Sequence, residues 1–145
     1  MSALKFDPAD WSRLHGGMTH FPIALLLVSV LCEFLALLPG KAEWQWGFRF
    51  TASFSIIVGA LGSYVAVFSG LVMARGQLMG HGAMLRHHQF VWPAFALMTV
   101  LAGWRISERS GGAGKRSWLY LGLLFLAAGL MSAAGYWGGE LLNRG

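Results

Sequence analysis

Cysteine is almost missing from this chain. Cys32 is the only one among 145 residues, which excludes an internal disulfide, a Cys-x-x-Cys metal site and a Cys-x-x-Cys-His haem attachment. Charge is scarce too. Charged residues make up 12 % of the sequence, against about 25 % in an ordinary soluble domain. A chain that is 56 % hydrophobic has too little polar surface to cover a core in water, so lipid is the expected solvent. No P-loop, dinucleotide fingerprint or nucleophile motif occurs, which argues against a self-contained hydrolase or nucleotide enzyme. The first twenty residues, with Asp7, Asp10, Trp11, Arg13 and His15, lack the basic-then-apolar order of a cleavable signal peptide. The first apolar run is expected to serve as its own targeting signal.

What is present is four apolar runs, at about 21–38, 48–72, 88–106 and 117–138. A helix needs about 20 apolar residues to cross a hydrocarbon core of about 30 Å. Backbone groups in lipid must satisfy one another, so helix is the expected state of each run. The sequence therefore predicts an all-α integral membrane protein: a single domain over 1–145, a four-transmembrane-helix bundle with both termini on the same side. Pro22 suits the first turn of the first helix, Pro39 and Gly40 end it, and the glycine-rich stretch 110–114 links the last two. Trp44, Trp46, Trp92, Trp104, Trp118 and Trp137 fall near helix ends, as interfacial tryptophans do, and Trp11 suggests a short interfacial helix before the first span. Pro93 is expected to kink the third helix just past His88. No repeat with a period of 20–50 residues is visible.

The net charge of +5 does not point to nucleic acid, because the basic residues flank apolar runs instead of forming a stripe. Lys41, Arg49, Arg105, Arg109, Lys115 and Arg116 sit in or beside the two short loops. The positive-inside rule then puts those loops in the cytoplasm and the termini in the periplasm of a bacterial inner membrane. Glu33 is the one acid inside an apolar run. Arg49 and Arg105 are expected at its depth, so a structural ion pair is the first reading and a proton relay the second.

All five histidines fall on the termini side: His15, His20, His81, His87 and His88. His20 stands at the start of the first span, and His87 and His88 at the start of the third. Imidazoles on two facing helices are what a six-coordinate haem b takes from a helical bundle. The expected axial pair is His20 with His87 or His88; adjacent residues point about 100° apart on a helix, so one of those two faces a given partner. Gly62, Ala66 and Gly70 on the second helix, and Gly122, Gly129, Ala133 and Gly135 on the fourth, offer smooth faces for a ring. Such stripes equally serve close helix packing. Arg13, Arg75 and Arg86 are candidates to pair with haem propionates, and Phe21, Phe90, Trp92 and Phe95 to wall the ring. Met18, Met73, Met79 and Met84 accompany the histidines, so copper held by His81, Met79 and Met84 is the alternative. A cofactor-free structural or assembly subunit is the third reading.

The order His15, four residues, then His20-Phe21-Pro22-Ile23-Ala24-Leu25 resembles the HP-x-x-x-HFPIAL opening of a bacterial membrane family, domain of unknown function 2231. The final Gly138-Gly139-Glu140-Leu141-Leu142-Asn143-Arg144-Gly145 resembles its GG-x-L-V-x-x-x-G ending. Gly16 departs from the family's proline. The resemblance covers nearly the whole chain and implies four helices, a histidine before the third, and candidacy as a haem or electron-transfer protein. On that reading His15 and Glu140 support a ligating imidazole through hydrogen bonds. The protein is then expected to pass electrons between membrane quinol and a periplasmic cytochrome or dehydrogenase, or to anchor a redox complex. No stand-alone catalytic activity is expected.

Overall fold

The computed structural model describes residues 8–108 and 115–143, with side chains at 11–108 and 118–141. Four helices follow in order: α1 (Pro8–Leu37), α2 (Ala42–Met73), α3 (Ala83–Ser107) and α4 (Lys115–Asn143). At about 1.5 Å per residue, even the 25 residues of α3 exceed a core of about 30 Å. All four are long and apolar enough to cross a membrane. The expected four-span bundle is the observed fold.

The helices run past the apolar stretches. α1 begins at Pro8 instead of near residue 21, because the polar first turns with Arg13, His15 and Thr19 stay helical. A separate interfacial helix at Trp11 is therefore absent: Trp11 belongs to α1 and meets Phe68 of α2 edge to face, 6.4 Å between ring centres. Pro22 consequently lies in mid-helix, buried, not in a first turn. Pro8 takes the first helical position, where the missing N–H costs nothing. α3 runs through Pro93. The linker 110–114 and the charges Lys5, Arg109 and Arg144 lie outside the described residues.

Each helix packs on its sequence neighbours, and α4 closes the ring on α1. α1 and α3 thus sit diagonally, as do α2 and α4. Packing is closest within the hairpins α1/α2 and α3/α4, and sparser along the seams between them. Small and polar side chains point inward: Ser29, Ala52, Ser55, Ala60, Ser63, Ala66, Ala94, Ala102, Ala127 and Ala134 are buried. Leu26, Ile56, Met98, Leu101, Tyr120 and Leu124 fill the core beside them, whereas Leu31, Phe54, Leu61, Phe68, Val100, Phe125 and Leu126 are exposed. Exposed apolar surface suits lipid, and the small inward residues allow close backbone approach. Ser29 Oγ donates to the carbonyl of Ala52 at 2.9 Å, and Tyr120 Oη to that of Leu101 at 3.1 Å.

The two hairpins repeat one another, although no repeat shows in the letters. Buried α1 residues Pro22, Leu26, Ser29 and Val30 correspond, at a fixed offset, to buried Ala94, Met98, Leu101 and Ala102 of α3. Buried α2 residues Ala52, Ile56, Gly59 and Ala66 likewise correspond to Tyr120, Leu124, Ala127 and Ala134 of α4. The bonded pairs Ser29–Ala52 and Leu101–Tyr120 are equivalent, with donor and acceptor exchanged between helices. The bundle therefore carries a pseudo-twofold axis that exchanges α1 with α3 and α2 with α4, and runs along the membrane normal.

At the loop end the symmetry breaks into charge. Glu33 and Arg105 are equivalent positions on the diagonal helices, and they form a buried ion pair. Arg105 also binds Glu108 at 2.8 Å, and its guanidinium lies 3.9 Å from the centre of the Tyr120 ring. Glu108 accepts a second bond from Trp104 Nε1 at 2.9 Å. Removing one member strands the other charge in an apolar surrounding. Arg105→Met should therefore cost about 3 kcal/mol, read as the midpoint of unfolding in mixed micelles. The double variant Glu33→Leu/Arg105→Met should recover most of that loss, and failure to recover would mean that the charges are not coupled.

Candidate functional site

A backbone carbonyl has no proton to give. His15 Nδ1 lies 3.0 Å from the carbonyl oxygen of Ala66, and His87 Nδ1 lies 2.8 Å from that of Ala134. Each Nδ1 must then carry the hydrogen, which leaves the lone pair of a neutral imidazole on Nε2. Ser69 reinforces the first of these contacts. Its Oγ donates to the Ala66 carbonyl at 2.9 Å and stands 3.2 Å from His15 Nδ1 as a second acceptor.

The two histidines are pseudo-twofold mates, and so are their supports. His15 reaches from α1 to Ala66, and its ring lies against Gly70 one turn on. His87 reaches from α3 to Ala134, and its ring lies against Gly138 one turn on. A Cβ on Gly70 would come within 2.9 Å of the His15 ring, and one on Gly138 within 3.3 Å of the His87 ring. The stripe Gly62, Ala66, Gly70 is thus occupied by α1 side chains, Phe21 against Gly62 and His15 against Gly70. On α4 the inward small residues are Ala127, Ala134 and Gly138. Gly122, Gly129 and Gly135 meet no other side chain and face outward.

Both imidazoles open on one cavity of about 60 Å³ inside the histidine end of the bundle. All four helices line it: His15, Thr19 and Pro22 from α1, Ser63, Ala66 and Val67 from α2, His87, Val91 and Phe95 from α3, and Met131 from α4. Two histidines and one methionine thus share its lining. A volume of that size suits one ion or one or two waters.

The other expected residues lie elsewhere. His20 is exposed and does not line the cavity; His15, one turn earlier, shares it with His87. His88 is buried but lies outside the cavity lining. Its ring stands 5.7 Å from His87 and 6.3 Å from Trp92, and its Nδ1 has no hydrogen-bond partner. His81 and Met79 are exposed on the loop before α3, and Met84 packs over Gly80. Among the described residues no group of three His, Cys, Asp or Glu is close enough to hold a metal. Arg13 and Arg75 are exposed, whereas Arg86 lies 4.5 Å over the Trp137 ring on α4. Glu140 is half-buried near the end of α4. Met131 escaped the sequence reading, because a methionine in an apolar run carries no signal until its helix register is known.

The hydrogen-bond geometry makes a direct prediction. Nitrogen-15 spectra of histidine-labelled protein should show His15 and His87 as neutral Nδ1–H tautomers. An Nε2–H form at either residue would contradict the arrangement.

A family model described as a predicted membrane protein, domain of unknown function 2231, matches residues 12–145. No curated protein and no solved structure matches the chain. The matched stretch begins just before His15 and takes in both imidazoles, the carbonyls and glycines that hold them, and all four spans; the chain belongs to the family of predicted membrane proteins known as domain of unknown function 2231.

Proposed function

We propose that this protein is a membrane redox protein in which His15 and His87 are the two axial ligands of a haem b, held across the bundle between the hairpins. One observation carries the reading: His15 and His87, on diagonal helices, line the same cavity, and each is oriented by an Nδ1–H bond to a carbonyl of a neighbouring helix, which leaves Nε2 as the ring nitrogen free to ligate. Haem iron takes two such ligands from a bundle, and hydrogen bonds at the far ring nitrogen orient the ligand and raise its basicity. When bound, the group would supply one-electron chemistry. The chain's own part is to fix both rings, to keep them neutral and to exclude water with Phe95, Val67 and Val91.

The donor set fits; the cavity of about 60 Å³ is too small for a ring. Cofactor-sized pockets run to about 300–1,000 Å³, so seating a macrocycle requires the hairpins to part along the α1/α4 and α2/α3 seams, where packing is sparsest. Exposed Arg13 and Arg75 at this end remain available for propionates. With the short basic loops in the cytoplasm, the centre lies near the periplasmic face of a bacterial inner membrane, within reach of quinol and of a periplasmic cytochrome or dehydrogenase.

The small cavity favours a second reading. His15, His87 and Met131 form a two-nitrogen, one-sulfur set of the kind that takes Cu(I), in place of the loop set His81, Met79 and Met84.

Protein purified from haem- and copper-supplied cells separates the readings through a reduced-minus-oxidised spectrum and metal analysis. The haem reading predicts a sharp α band that disappears in His15→Ala and His87→Ala, yet survives His20→Ala and Met131→Leu. Stoichiometric copper without a Soret band, reduced by Met131→Leu, would replace haem with copper. A folded protein with neither would overturn both and leave a cofactor-free subunit.

A further inference from the structure

We propose that the cleft between the start of α2 and the end of α3 binds the phosphate headgroup of an anionic phospholipid. This site stands at the opposite end of the bundle from the histidines and is independent of any metal. The cleft has a volume of about 470 Å³ and is lined by Gln45, Trp46, Arg49, Ser53, Arg105 and Glu108.

The two arginines differ in what they have left to give. Arg105 is committed to Glu33 and Glu108. Glu108 shares Arg105 with Glu33 and also accepts from Trp104, so one guanidinium serves two carboxylates and Arg49 is the further cation of the cleft. Arg49 forms no ion pair among the described residues, and its Nε is buried without a hydrogen-bond partner. Arg49 lines the cleft, and a guanidinium that no carboxylate engages is a phosphate ligand by its chemistry. The helix start adds to it. Lys41 precedes α2 without a side-chain cap, and Glu43 lies in the first turn; the Trp44 and Gln45 N–H groups bond to the Lys41 carbonyl, so the N–H groups of the first two helical residues remain for an anion.

A lipid, and not a free anion, is indicated by what leads away from the cleft. Trp46, Phe50 and Phe54 are exposed at four-residue intervals on the outer face of α2. Their rings stack in sequence, 5.6 Å and 6.5 Å between centres and tilted by only 15° and 16°. This aromatic strip begins at the cleft wall and descends towards mid-membrane, the path that an acyl chain takes from a headgroup seated beside Arg49. Basic pockets between membrane helices recognise anionic headgroups in this way.

Native mass spectrometry of the whole protein, titrated with phosphatidylglycerol, phosphatidylcholine or inorganic phosphate, tests the site. Phosphatidylglycerol should bind in preference to phosphatidylcholine, and Arg49→Gln should weaken it by roughly tenfold. Arg49→Lys should lose less, and Phe50→Ala should weaken the lipid without changing helical content. Equal binding by Arg49→Gln, or equal binding of the zwitterionic lipid, would overturn the proposal. Competition by inorganic phosphate at lipid-like concentration would also overturn it, by showing that the cleft reads a free anion.

Discussion

The hydrogen bonds from His15 to Ala66 and from His87 to Ala134 set the conditions for everything at this end of the bundle. Each acceptor is a helical carbonyl that already serves its own backbone ladder. Each donor comes from a different helix. The bond therefore fixes three things together: the spacing of α1 on α2 and of α3 on α4, the tautomer of each ring, and the direction of each Nε2 lone pair. Gly70 and Gly138 follow from the same constraint, since any side chain there would occupy the space that the ring needs. Both rings are part-buried between helices, so a ring nitrogen left without a partner there is costly unless something binds it.

The pseudo-twofold axis explains why one site can be built from two distant segments. Equivalent positions on α1 and α3 face each other across the axis, and the cavity lies between them. The same equivalence puts Glu33 opposite Arg105 at the other end. Identical residues there would repel, whereas opposite charges lock the hairpins at one depth. The bundle thus divides its labour along the membrane normal. Symmetry operates where two like ligands are wanted, and asymmetry operates where the hairpins must be held together. Sparse packing between the hairpins is compatible with that division, because the ion pair links α1 to α3 at the loop end.

Much of the fold was legible in the letters, and the reason is physical. Lipid forces each span to be apolar and helical, so four runs mean four helices. Aromatic residues and Pro39-Gly40 marked ends by local chemistry. The helix starts were not legible: apolarity reports hydrocarbon, while α1 extends into polar first turns that carry His15. His20 sits nearest the apolar run and is exposed, while His15 lies in those polar turns. Choosing between His15 and His20, or between His87 and His88, needs helix phase, and a uniformly apolar span gives none, because lipid-facing and inward-facing residues are alike to a hydropathy count. The repeat was hidden for the same reason. It lives in burial and hydrogen bonding, with Ser29 answered by Leu101 and Ala52 by Tyr120, not in residue identity.

The central claim is that His15 and His87 meet at one centre. Electron–nuclear double resonance on the oxidised, cofactor-loaded protein with nitrogen-15 histidine counts the imidazoles bound to the metal. The account predicts two coordinated nitrogens, one lost with His15→Ala and one with His87→Ala, whereas His20→Ala and His88→Ala leave both. Coordination that survives the loss of both His15 and His87 would contradict it.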